Sequence, residues 1–142
     1  MSFQKTMKYK KLREYKYVTA EDYRVKVALA FLPYKSEYLE IGMAAGLENY
    51  LIIKKGYQWD GASGPAIDTK NFMIASLVHD ALYQLIREGV IPAHKKEWAD
   101  STMKQLCVKA GMNKLRAWWL FRGVHRFGAS SCRSNVIEVS LK

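Results

Sequence analysis

At 142 residues, with 49% apolar and 25% charged side chains, the chain can bury a core without disulfide or metal staples, which excludes a disordered tract and a cysteine-stapled miniprotein. The net charge of +10 suits an anionic partner such as nucleic acid, a phospholipid surface or an acidic glycan, and serves solubility equally well. Cys107 and Cys132 form no C-x-x-C pair, which fits a reduced, cytoplasmic setting; the basic start lacks an apolar h-region and no stretch is long and apolar enough to span a bilayer, so neither a signal peptide nor a transmembrane segment is expected.

The chain reads as a single domain, 1–142, without repeats or long linkers. Residues 1–16 form a basic N-terminal arm, free to be flexible, that carries Lys5, Lys8, Lys10, Lys11, Arg13 and Lys16. In "YRVKVALAF", Tyr23, Val25, Val27, Leu29 and Phe31 alternate with Arg24 and Lys26, the period of a strand. "LPYKSE" (32–37) predicts a turn. "YLEIGM" and "NYLIIKKGYQW" predict two more strands, with Gly46 turning between them.

After Asp68, an N-cap candidate, the period becomes helical and runs to Gly89, with Pro92 beyond the break. "HKKEWADSTMKQLCVKAG" is a second helix ending at Gly111, and "NKLRAWWLFRGVHRFG" a third, opened by Asn113 and closed near Gly128. "NVIEVSL" has the character of a last strand. Strands first and helices second predict an α+β fold: a small antiparallel sheet from the N-terminal half covered by a three-helix layer.

On the first helix Phe72, Ala75, His79, Leu82 and Ile86 fall on one stripe, with Tyr83 one turn after His79 and Asp80 pointing well away beside Ser76 and Arg87. On the second, Ala99, Met103, Leu106 and Ala110 form the stripe, flanked by Asp100 and Cys107. A carboxylate so near a core face needs a partner. Helices joined by a short connection usually pack antiparallel, which makes His79 the partner expected for Asp100. An Asp bonded to one imidazole nitrogen raises the basicity of the other; a His–Asp pair between helices also serves simply as a satisfied buried pair. Both readings stay open. In "WDGASGP", Gly61 and Gly64 permit positive φ, Pro65 stiffens the exit, Ser63 is a further loop residue, and Asp60 with Asp68 just beyond adds charge. Such a loop can aim backbone groups at an anion or a cation, and it also serves as a plain strand-to-helix connection.

The succession D-G-A-S-x-P (Asp60, Gly61, Ala62, Ser63, Pro65), H-D-x-L-Y (His79, Asp80, Leu82, Tyr83), A-D (Ala99, Asp100) and F-G (Phe127, Gly128) resembles a phage and prophage family known as a domain of unknown function, number thirteen fifty-three. The resemblance runs from about Gly56 to Gly128, while the strands before it match in type alone. It implies a phage gene, acting in the host cytoplasm or carried in the virion, and leaves the activity open. A looser likeness is to the phospholipase A2 site. It implies His79 as the base that deprotonates water, Asp100 as its orienter, Tyr83 as a support, and calcium held by Asp80 with loop carbonyls. The chain departs from that plan: Leu77, Val78 and Leu82 stand where disulfide cysteines are expected, the loop's glycine spacing differs, and the loop lies further from the histidine.

Zinc is a weaker expectation than calcium, because His79, His94 and His125 fall on or near three different helices without a zinc spacing. A protein with no cofactor is a third. Ser63 lacks a nucleophile elbow, and Cys107 falls inside a packed helix. The third helix sets Leu115, Trp118 and Trp119 on one side with Arg122, His125 and Arg126, a composition that suits a membrane interface, single-stranded nucleic acid, a protein partner, or packing on both faces. The leading expectation is a small His–Asp hydrolase, metal-assisted, acting on lipid or other esters. The alternative is a non-catalytic virion (tail or capsid) or host-factor-binding protein whose H-D motif is a structural hydrogen-bond network.

Overall fold

A computed structural model describes residues 7–13, 16–27, 33–43, 49–60 and 70–127. In chain order it contains β1 (Tyr9–Arg13), β2 (Lys16–Thr19), β3 (Tyr23–Val27), β4 (Tyr34–Lys35), β5 (Leu39–Met43), β6 (Asn49–Ile53) and β7 (Gln58–Asp60), then α1 (Lys70–Arg87), a 3₁₀ turn (Ala93–Lys95), α2 (Lys96–Lys109) and α3 (Lys114–Phe127). The α+β class stands, but the strands make two antiparallel sheets rather than one: β1-β2-β7 and β3-β6-β5-β4.

Alternation builds the larger sheet. Register pairs Tyr23 and Leu39 with Ile53, and Val25 and Ile41 with Leu51. All six are buried, while Arg24 between them is exposed. Two apolar rows thus cross three strands on one face. The smaller sheet is held by aromatics: Tyr17 pairs with Trp59 in register, and Tyr9 meets both edge-on at 5.6 and 5.9 Å between ring centres.

Several expectations change. "NYLIIKKGYQW" is two strands in two sheets, because Lys54–Tyr57 turn the chain between β6 and β7. Within "LPYKSE", Tyr34–Lys35 are strand β4, paired with Ile41 and Glu40. The reversal falls just after them, where the Ser36 backbone N–H donates to Leu39 O at 2.8 Å. Within the basic N-terminal segment, Tyr9–Arg13 pair with β2 and are not a free arm. Leu29, Phe31, Gly46, the Gly61–Gly64 loop with Ser63, Asp68 and the "NVIEVSL" strand lie outside the described residues.

α1 is buried nearly all round: Phe72–His79, Ala81–Tyr83, Leu85 and Ile86 are all covered. It ends at Gly89 (φ +75°), whose N–H donates to Ile86 O at 3.1 Å while Val90 N–H donates to Leu85 O at 2.9 Å. α2 ends the same way at Gly111 (φ +100°), through Gly111 N–H to Val108 O and Met112 N–H to Cys107 O. Both are Schellman ends, which need a left-handed residue. α3 opens on Asn113, whose Oδ1 accepts the Leu115 N–H at 2.8 Å.

Among the described residues, side-chain hydrogen bonds tie the strand half to α1. Trp59 Nε1 donates to Ser76 Oγ (3.1 Å), Tyr57 Oη to Gln84 Oε1 (3.1 Å), and Tyr34 Oη to Glu88 Oε2 (3.3 Å). Their acceptors lie on or just beyond one i+4 row of the helix, at positions 76, 84 and 88. That row fixes α1 about its own axis.

Substituting Gly111→Ala forces a Cβ into the left-handed region with nothing crowding it. It is expected to lower unfolding free energy by about 1 kcal/mol or slightly more, read as a lower urea midpoint at unchanged slope.

Candidate functional site

The connection 88–95 returns the chain so that α2 packs on α1, and two i,i+4 pairs meet there. His79 and Tyr83 come from α1; Lys96 and Asp100 come from α2. Asp100 is fully buried (0% exposed) and His79 nearly so at 7%. Asp100 Oδ1 accepts His79 Nε2 at 2.8 Å and the Tyr83 hydroxyl, and Oδ2 accepts Lys96 Nζ at 2.8 Å. The His79 and Tyr83 rings lie 3.9 Å apart between centres, and the Lys96 ammonium sits 5.9 Å above the Tyr83 ring. A buried carboxylate is tolerable only with this kind of saturation: three donors, one of them a full positive charge.

Burial alone pushes the Asp100 carboxyl up, but the hydrogen bonds from His79, Lys96 and Tyr83 outweigh it and hold the group below its ordinary 3.8. Burial alone likewise pushes His79 down. The bond to Asp100 and the nearby Asp80 carboxylate outweigh it and raise the imidazole above 6.5. Asp80 acts here through its charge, since 3.9 Å from His79 Nδ1 to Asp80 Oδ1 is beyond hydrogen-bonding distance.

The ionised Asp100 can only accept, so Nε2 carries the shared hydrogen and Nδ1 is the nitrogen left to gain or lose a proton. Asp80, with a side chain 35% exposed, flanks that nitrogen. It occupies the α1 row that runs Ser76, Asp80, Gln84, Glu88, the row whose other members bond Trp59, Tyr57 and Tyr34.

The structure thus brings His79, Tyr83 and Asp100 together, with Asp80 beside them. Asp60 is the last residue of β7, paired across from Lys16; Gly61, Ser63 and Gly64 lie outside the described residues. Trp118, Trp119 and Arg122 are exposed on α3, away from this cluster in sequence, and Arg126 is placed on the same helix by its backbone. Lys96 was missed. Its signal is the Lys96/Asp100 i,i+4 spacing, which on most helices marks a solvent pair. Among the described residues no group of three or more His, Cys, Asp or Glu side chains could hold a metal. A cation at Asp80 would draw its remaining ligands from outside these residues or from water. His94 is exposed at the 3₁₀ turn, and burial pushes the Cys107 thiol up to about 12. No helix among the described residues is long and apolar enough to cross a membrane.

Fold and site together define an α+β protein with a buried His–Asp–Lys–Tyr cluster between two consecutive helices. A family model described as a protein of unknown function (DUF1353) matches residues 39–124, more than half of the chain, and the protein belongs to that family. The match begins in β5, earlier than the motifs suggested, and stops short of Phe127 and Gly128. No curated protein and no solved structure matches the chain.

The two shifted groups limit stability on opposite sides. Protonated His79 stabilises fully below 6.5, and this contribution is lost as pH rises through the higher folded pKa. Ionised Asp100 stabilises above 3.8, and this is lost as pH falls through the lower folded pKa. The urea midpoint is expected to be highest between about pH 4 and 6.5. Lys96→Met strips a buried carboxylate of its cation; it should cost about 3 kcal/mol and shift the acid limb to higher pH.

Proposed function

We propose that the protein is a small hydrolase of esters in which His79 is the general base. The observation that carries this reading is the division of labour on the imidazole. Nε2 is fixed by a carboxylate that is itself fixed by Tyr83 and Lys96, while Nδ1 lies 3.9 Å from the carboxylate of Asp80, a side chain that is 35% exposed. Water held at Nδ1 would lose a proton to it as its oxygen attacks the ester carbonyl. Collapse of the tetrahedral adduct breaks the carbon–oxygen bond to the leaving alcohol, which takes the proton back from His79. Asp100 stays ionised throughout and stabilises the imidazolium. A calcium ion held through Asp80 would supply Lewis acidity at the carbonyl. Lipid esters are the favoured substrate class, and an origin in a phage or prophage gene belongs to the same proposal through the motif resemblance.

Burial favours a second reading. A cluster this closed at a helix–helix contact also suits a structural cross-link in a non-catalytic virion or host-factor-binding protein.

Turnover of fluorogenic esters and phospholipids, with thermal melts with and without calcium or zinc, separates the two. Under the hydrolase reading, rate rises with pH through the raised His79 pKa, in the same window where stability falls. His79→Gln, whose amide can still donate to Asp100, is then expected to lower the rate by about 10²–10⁴-fold, with the melting temperature nearly kept when both proteins are compared above the His79 pKa, where the wild-type imidazole is neutral too. Absence of hydrolysis, together with a large loss of stability in His79→Gln, would establish the structural reading instead.

A further inference from the structure

α3 shows its apolar stripe to the outside. Ala117 is fully buried and Leu120 and Phe121 are half-buried against the core side, with the Lys104 ammonium 5.3 Å above the Phe121 ring. On the opposite face Leu115 is 65%, Trp119 64% and Trp118 39% exposed, with Arg122 exposed beside them. Positions 115, 118, 119 and 122 recur at i, i+3, i+4 and i+7, a single helical face. Three large apolar side chains in a row on a water-facing helix mark an interaction surface rather than scatter.

The surroundings are cationic. Residues 101–127 include six Lys and Arg and no Asp or Glu. A cavity of about 570 Å³ between α2 and α3 is lined by Lys104, Gln105, Val108, Lys109, Lys114 and Trp118. It adjoins the exposed stripe through Trp118.

We propose that this face of α3, with the adjoining lysines of α2, docks the protein on an anionic phospholipid surface. Leu115 and Trp119 enter the headgroup–acyl boundary, Trp118 sits at the level of the headgroups, and the lysines and Arg122 meet their phosphates. The geometry disfavours single-stranded nucleic acid. The Trp118 and Trp119 rings meet edge-on, 74° apart, and the Arg122 guanidinium lies 5.2 Å over the Trp118 ring. Two successive bases therefore find no continuous parallel platform, and Leu115 offers no aromatic face for a third. A second copy of the chain is disfavoured because a two-fold interface would set this cationic stretch against itself. The proposal is independent of any role for His79, because binding is read without turnover.

The full chain is sedimented with vesicles of phosphatidylcholine alone and of phosphatidylcholine mixed with phosphatidylserine, and tryptophan emission is followed. Binding to the anionic vesicles alone, with a blue shift and a fall in binding with salt, is expected. Leu115→Ser with Trp119→Ser, and separately Lys114→Glu with Arg122→Glu, should each weaken partition by roughly tenfold or more with unchanged melting temperature. Three results would overturn the proposal: no excess binding to anionic vesicles, wild-type binding by both variants, or a single-stranded oligonucleotide or a second copy of the chain bound through these residues while vesicles are not.

Discussion

A fully buried carboxylate organises the helical half of this protein. Asp100 cannot sit between α1 and α2 unpaired, and its three donors come from both helices. Sliding α2 along α1 by one turn would separate the carboxylate from His79 and Tyr83 at once and leave a charge in an apolar contact. The apolar residues around it, among them Leu82, Met103 and Leu106, provide area but no such discrimination, because hydrophobic contact is non-directional. The polar cluster therefore sets register, and the surrounding core supplies the driving force.

The rotation of α1 is set from its other side. Ser76, Gln84 and Glu88 take hydrogen bonds from three aromatics of the strand half. With that row facing the strands, His79 and Tyr83 are turned towards α2 and Asp80 falls between the two environments. The strands thus contribute to the cluster without placing a side chain in it.

The helices were largely legible because their signals are local. The boundaries at Gly89, Gly111 and Asn113 follow from cap chemistry, and the His79–Asp100 pairing follows from two stripes and a short connection. The strand half was less legible. β1 and β2 lack alternation, since Lys10, Lys11 and Lys16 read as part of a solvated tail, and the pairing of β2 with β7 some forty residues on leaves no local trace. The break at Gly56 is marked only by Lys54, Lys55 and Gly56, a short interruption that also suits a solvent-facing stretch of one longer strand. Lys96 escaped notice because an i,i+4 Lys–Asp pair carries no mark of whether its acid is buried; that depended on Tyr83 and His79 arriving from another helix.

The two Schellman ends also bear on the order in which the molecule comes together. Each lets the chain reverse within a few residues of a helix terminus, so the His79–Asp100 contact closes only 21 positions. The pairing of Lys16 with Asp60 closes more than twice as many, and each doubling of a loop adds about 0.6 kcal/mol of closure entropy. On that basis the helical hairpin is the low-contact-order unit and the smaller sheet the late one. The polar cluster would then be assembled, and its charge neutralised, before the strands that orient it have closed.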